Sequence, residues 1–322
     1  EVARSTFVAA GTWCTCRWWP SLPARATGLG RMLRVGRDIS GFNLVTFLSL
    51  NLDGILLGKF WGAGPLGFYR QARQMIAMLQ GQLHSPVDTV AQPTLSALQN
   101  DPARYSKYLG KIVSMLSFAV MPLATYLAIF SEPLVRALLG EKWMASAPIF
   151  RLFALAALLW PASPRHLVMI TCGKTVRNFW YSLMAALLLS LAFIIGTFWG
   201  PIGVAAAYTI TAYVWLLPSL WYCLRDTPVS IRGIVRAVRI PACCSAAMGL
   251  VLLLASPELS KSGSLEIPLS LALAVLSYVG VWLLFPGGMG MLAEYFTYPL
   301  LSLRGRAGPN RVGARLDPDI SF

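Results

Sequence analysis

The chain has 322 residues, 56% of them hydrophobic and 12% charged, with a formal net charge of +14. Soluble domains carry roughly 25% charged residues, so this composition excludes an ordinary soluble enzyme. The cations sit in short segments between apolar runs, not on one basic face, which argues against a nucleic-acid partner.

Three stretches set the class. Ile112–Phe130, Phe179–Phe198 and Pro201–Leu224 contain no Asp, Glu, Lys or Arg. Each is close to the ~20 residues a helix needs to cross the hydrocarbon core. The chain reads as an all-α, polytopic transmembrane bundle of about eight spans, embedded in a lipid bilayer.

In chain order, Ser5–Cys16 is a mildly apolar run without a basic segment ahead of it. It reads as the tail of an earlier span and not as a signal peptide. With the basic segment after it, it makes up residues 1–38. The eight spans are expected at Ile39–Phe60, Leu66–Gln92, Ile112–Phe130, Ile149–Thr171, Phe179–Phe198, Pro201–Leu224, Ile240–Ser256 and Ile267–Phe285. Residues 39–224 read as a six-span lobe, 225–286 as a loop and two further spans, and 287–322 as a Gly- and Arg-rich tail, disordered toward its end.

Eighteen Lys and Arg fall in one alternating set of loops and three in the other, Arg136, Lys142 and Lys261. Cations favour the cytoplasmic side. The expected location is a bacterial cytoplasmic (inner) membrane, with both ends of the chain in the cytoplasm.

The first span carries Asn43, Asn51 and Asp53. A carboxylate inside a span is costly unless it meets a partner or water. Asp53 and Asn51 are therefore candidates for lining a hydrated cavity, the structural alternative being an interfacial pair of Asp53 with Lys59.

The second span is the most informative. Arg70, Arg73, Gln74, Gln80, His84, Asp88 and Gln92 recur at three- and four-residue steps, with Ala77 and Gly81 as small members. Gln82 lies at the edge of this stripe. A polar stripe along a whole span lines a hydrated cavity. Arg70 and Arg73 offer forks for phosphate or an acidic sugar, and Gln74, Gln80 and Gln82 can bond sugar hydroxyls. His84 and Asp88, four apart, are candidates for ion coupling.

Next, Ser131–Ser146 reads as a short amphipathic surface helix. The fourth span contains Pro161 and Pro164, ahead of Arg165 and His166, and is expected to kink or break there. Broken helices in transporters lie at binding or gating regions.

Six cysteines, at positions 14, 16, 172, 223, 243 and 244, lack metal-ligand spacing. They read as buried apolar thiols, with no disulfide, metal or cofactor. No Walker A, G-x-S-x-G or H-E-x-x-H motif is present, so no catalytic residue is assigned and the chain is not read as an enzyme.

The run through Asn51, Asp53, Leu57, Gly58 and Gly62, then Gly67, Tyr69 and Ala72, resembles the polysaccharide transporter (oligosaccharide flippase) family of the MATE-like flippase superfamily. A second match runs through Leu139, Gly140, Trp143, Ser146 and Phe150, where Ser146 replaces the usual Ala. The resemblance covers roughly Arg17 to Leu254. It implies two six-span bundles around a central cavity, of which this chain would hold the second plus an extra pair, the first being absent through N-terminal truncation. It also implies transfer of undecaprenyl-diphosphate-linked oligosaccharide between leaflets for polysaccharide or lipopolysaccharide synthesis, beside polymerase and export machinery. Two alternatives are a MATE-like drug/cation antiporter and a membrane glycan polymerase or ligase. The antiporter would want more acid in the stripe, and the polymerase a larger outer loop.

Overall fold

The computed structural model describes residues 5–7, 11–12, 51–261 and 263–284, without the side chains of 84–86, 88 and 264. The basic segment before the first span, Asn43, Cys14, Cys16 and the tail lie outside the described residues. The chain divides into two units, 1–48 and 49–322. All that follows concerns the second, which is helical with no strand among the described residues.

The elements are α1 (the described part of the first span, residues 51–61), α2 (Ala63–Ala97), α3 (Pro102–Ile129), α4 (Ser131–Leu139), α5 (Ala147–Ala157), α6 (Arg165–Thr171), α7 (Thr175–Thr197), α8 (Gly200–Leu224), α9 (Ile231–Ser260) and α10 (Glu266–Leu284). Short 3₁₀ turns cover Glu141–Ser146 and Gly263–Leu265.

Five of these, α3, α7, α8, α9 and α10, are long and apolar enough to cross a membrane. The other three expected spans depart from that pattern. The first is described only from residue 51, the second carries the polar stripe, and the fourth is interrupted. The chain is a multi-pass membrane protein.

α2 is 35 residues long, about 52 Å at 1.5 Å per residue, and so outreaches a ~30 Å hydrocarbon core. The fourth span stops at Ala157 and resumes at Arg165. Pro161 and Pro164 supply no backbone N–H across this break, and Ser163 closes it with bonds to the Trp160 and Leu159 carbonyls.

Two helices begin earlier than the apolar runs suggested. α3 starts at Pro102, where the Asp101 side chain caps the Arg104 amide at 3.1 Å. α9 starts at Ile231, where Ser230 caps the Gly233 amide at 3.0 Å. Arg232, Arg236 and Arg239 therefore lie on an exposed helical face above buried Ile234, not in a loop. The helices are amphipathic outside the apolar span, so hydropathy alone ends them too soon.

The surface helix also comes in two pieces, α4 and the 3₁₀ turn, because Gly140 between them adopts φ +88°. Such a left-handed conformation favours glycine.

α3 packs along α9, with Gly249 admitting the Thr125 methyl. α7 and α8 form a tight hairpin in which a Cβ on Gly196 would lie 2.7 Å from the Gly203 carbonyl oxygen. Trp61, at the end of α1, covers the hairpin turn at Gly200 and donates from Nε1 to the Thr197 carbonyl at 2.8 Å. Two apolar clusters hold the bundle. One gathers Leu57, Tyr69, Phe153, Val204, Met248 and Trp282, and the other gathers Leu95, Tyr105, Val168, Leu220 and Ile234. In the second, Tyr105 Oη and Thr171 Oγ1 share a bond of 2.6 Å. Cys172, Cys223, Cys243 and Cys244 are free thiols. Cys243 is exposed, contrary to the expected burial, because it lies on the outward face of α9 beside buried Cys244.

Candidate functional site

α2 has two distinct faces. Tyr69, Ala72, Ile76, Ala91 and Leu95 are buried against the bundle. Arg70, Gln74, Ala77, Gln80, Gly81, Gln82 and Gln92 are exposed. A three- and four-residue rhythm separates the faces, so the apolar positions seat the helix and the polar stripe is turned away from the core. His84 and Asp88 lie on the same helix, but their side chains are outside the described residues.

At the start of the stripe, α1 meets α2 across the turn at Gly62, whose φ of +82° requires the left-handed region. Gly54 and Gly58 let the helices approach. A Cβ on Gly54 would stand 3.3 Å from Arg70 Nη2, and one on Gly58 3.2 Å from Leu66 Cδ2. The Arg70 guanidinium thus lies over the Gly54 backbone while remaining exposed.

Beneath it, Asp53 is buried, with 1% of its surface accessible. Its Oδ1 accepts from the Gly54 amide at 2.8 Å, and its Oδ2 accepts from the Tyr69 hydroxyl at 2.7 Å and from Arg73 Nη1. Phe153 backs the group, edge-on to both Tyr69 and Tyr208 at 5.5 Å between centroids. A buried carboxylate needs such donors.

The two arginines therefore differ. Arg73 is ion-paired with Asp53, its side chain 42% accessible, whereas Arg70 is exposed with its guanidinium against Gly54. Asp53 pairs with Arg73 and not with Lys59, whose ammonium lies 5.6 Å from the Phe60 ring. Asn51 is half-buried at the start of α1. The structure thus brings Asp53, Arg70 and Arg73 together, while Gln74, Gln80 and Gln82 continue along the exposed stripe.

Tyr69 and Tyr208 complete the buried group but were not among the site residues read from sequence. Tyr69 was visible in the G-x-Y-x-x-A pattern, and its hydroxyl explains why a tyrosine stands there. Nothing in the sequence marks Tyr208, which arrives from α8. At the fourth-span break, Arg165 Nη1 donates to Ser219 Oγ and its guanidinium lies 5.4 Å from the Tyr181 ring. This residue ties α6 to α7 and α8. His166 Nδ1 lies 3.3 Å from Asn178 Oδ1. Among the described residues no cluster of His, Cys, Asp or Glu could hold a metal ion.

A family model described as "Polysaccharide biosynthesis protein" matches residues 1–148. The chain is 25% identical over 268 residues to the teichuronic acid biosynthesis protein TuaB of Bacillus subtilis, covering 82% of this chain and 56% of that one. It is 23% identical over 197 residues to the lipopolysaccharide biosynthesis protein WzxC of Escherichia coli, covering 61% and 40%. It is 23% identical over 206 residues to the succinoglycan biosynthesis transport protein ExoT of Rhizobium meliloti, covering 61% and 42%. The chain spans about half the length of the relatives it matches. Its fold is similar to that of the lipid II flippase MurJ in an inward closed conformation, with a TM-score of 0.64, 17% identity, and coverage of 81% of this chain and 55% of that one. Sequence and fold together make the chain similar, over part of its length, to polysaccharide biosynthesis and transport proteins and, in fold, to the MurJ flippase.

Proposed function

We propose that this chain forms one wall of a flippase cavity through which lipid-linked oligosaccharide, carried on undecaprenyl diphosphate, crosses a bacterial inner membrane. The observation that carries the reading is the exposed stripe of α2, running from Arg70 through Gln74 and Gln80 on a helix whose opposite face is buried. Polar side chains turned away from the core of a membrane bundle need water or a polar cargo.

The relatives' names favour a glycan cargo. They cite teichuronic acid, lipopolysaccharide and succinoglycan, and the structural neighbour is named for lipid II. In this mechanism Arg70 binds a diphosphate oxygen pair with its planar fork. Arg73, held by Asp53, sets the position of the α1–α2 corner and lends a partly neutralised charge. Gln74, Gln80 and Gln82 bond sugar hydroxyls along the helix, and Asn51 lies near the corner.

The lipid tail stays in the bilayer, since wetting it would forfeit about 0.8 kcal/mol per CH₂. Residues 39–224 act as the lobe and 225–286 as an added pair, rocking against a second lobe. The bias of Lys and Arg toward one alternating set of segments between the apolar runs supports both ends on the cytoplasmic side. Product would pass to a polymerase and export machinery.

The test is polymer export in cells that depend on the intact protein. Arg70→Ala together with Arg73→Ala should abolish export, and Arg70→Ala alone should lower it about 10- to 100-fold, the value of one charge-assisted contact. Arg70→Lys should restore only part, because a point charge replaces a fork. Normal polymer levels with both arginines removed would refute the reading.

A further inference from the structure

A second site lies away from the stripe, where the α6–α7 turn meets the end of α8. Gly173, Lys174, Val176, Arg177, Trp180 and Tyr222 line an open cavity of about 380 Å³. We propose that this cavity binds the headgroup of an anionic phospholipid, with the acyl chain lying along α7.

Charge is the first argument. Arg177 donates to the Arg225 carbonyl and, at 3.0 Å, to Asp226 Oδ2. Lys174 and Arg225 also act on Asp226. Three cations therefore surround one carboxylate, leaving an excess of positive charge at the cavity. The first turn of α7 carries no acidic residue, and Lys174 at its N-cap makes no side-chain capping bond. The amides of that turn add to the positive field.

The second argument selects a lipid over a free phosphate. Two lining residues, Val176 and Trp180, begin an exposed apolar row that continues through Met184, Leu187, Leu191 and Ile195. The steps are three and four residues, so the row runs straight down one face of a membrane-crossing helix. Trp180 and Tyr222 stand where amphipathic rings prefer the headgroup level. Basic pockets between spans that open onto lipid suit anionic headgroups.

The test is native mass spectrometry of the purified protein, titrated separately with phosphatidylglycerol and phosphatidylcholine. The first phosphatidylglycerol should bind several-fold more tightly than the first phosphatidylcholine. Lys174→Gln should weaken it about fivefold, the effect of one headgroup-facing cation, and Lys174→Arg should restore it. Lys107→Gln, on the exposed face of α3, should leave it unchanged. Trp180→Ala should weaken both lipids. The proposal is overturned if Lys174→Gln binds phosphatidylglycerol like the parent protein, or if Lys107→Gln weakens it equally. It is also overturned if a six-carbon-chain phosphatidylglycerol binds as tightly as the long-chain lipid, since the cavity would then read phosphate alone. None of these readouts depends on glycan transport.

Discussion

Replacing Asp53 separates the two arginines by what each one holds. In Asp53→Ala the Tyr69 hydroxyl, on a residue 1% exposed, loses its acceptor at 2.7 Å. An unsatisfied buried hydroxyl costs about 1–3 kcal/mol. Arg73 is 42% exposed and can turn to water, so the lost ion pair adds only about 0–1 kcal/mol from that side. The sum is a destabilisation of roughly 1–4 kcal/mol. Arg73→Gln acts from the other side and leaves a carboxylate that is 1% exposed without its cation. Breaking a buried pair in that way costs about 3–5 kcal/mol, reduced here by the Tyr69 and Gly54 donors that remain. Tyr69→Phe removes a single bond and should cost about 1 kcal/mol. Pairing Asp53→Ala with Arg73→Gln removes both charges, so the double variant should be more stable than the sum of the single changes by about 1–3 kcal/mol. Arg70→Ala, an exposed change, should fall within about 0.5 kcal/mol of the parent protein. Unfolding in mixed micelles with increasing dodecyl sulfate, followed by tryptophan fluorescence, gives these differences. Additivity of the Asp53 and Arg73 changes within about 0.5 kcal/mol would refute the buried pair as the anchor of the α1–α2 corner.

Two further outcomes follow from single residues. Ser146 is fully buried, and among the described residues its Oγ has no hydrogen-bond partner. Ser146→Ala should therefore raise stability by about 1 kcal/mol in the same unfolding assay; an equal destabilisation would show that the hydroxyl is satisfied. The hydrogen bond from Arg177, followed by the charges of Arg177, Arg225 and Lys174, holds the exposed Asp226 carboxyl below the ordinary carboxylate range. A depressed value means that the contact is present above that range and is lost as pH falls through the lowered value. The loop should therefore keep one conformation from neutral pH down to about pH 4, read by the Asp226 carboxyl band in infrared difference spectra against Asp226→Asn. A midpoint at or above the ordinary aspartate value would overturn the pairing.

The helical class and the polar face of α2 were legible because both depend on period and composition. Tyr69, Ala72 and Ile76 mark the seat of the helix as clearly as Arg70, Gln74 and Gln80 mark its outer face. The fourth-span break was legible because proline acts locally at 161 and 164. What period cannot show is which residue meets Asp53. Lys59 is six positions away along the same helix and Arg73 twenty, and the choice is made by the turn at Gly62 and the close approach at Gly54 and Gly58. The start of α9 was missed for a related reason. Hydropathy falls at Arg239, but Ser230 caps a helix whose first turns are amphipathic and carry Arg232 and Arg236 outward.

The motif residues then acquire a physical meaning that spacing alone withheld. Asp53, Leu57, Gly58, Gly62, Tyr69 and Ala72 are the parts of one joint. Leu57 and Ala72 are fully buried in it, Gly58 and Gly62 permit its geometry, and the Asp53–Tyr69 bond closes it. Ser146 fits the same logic at the second match. It is fully buried at the end of the 3₁₀ segment that starts at the left-handed turn of Gly140 and carries Trp143 edge-on to Phe68 at 5.7 Å. Phe68 immediately precedes Tyr69, so both matches converge on the first turns of α2. Their shared task is to hold that helix, and with it the Arg70 fork, at a fixed angle to the bundle. In the proposed flippase, selectivity for an anionic cargo would then rest on Arg70, since the charge of Arg73 is already matched within the joint.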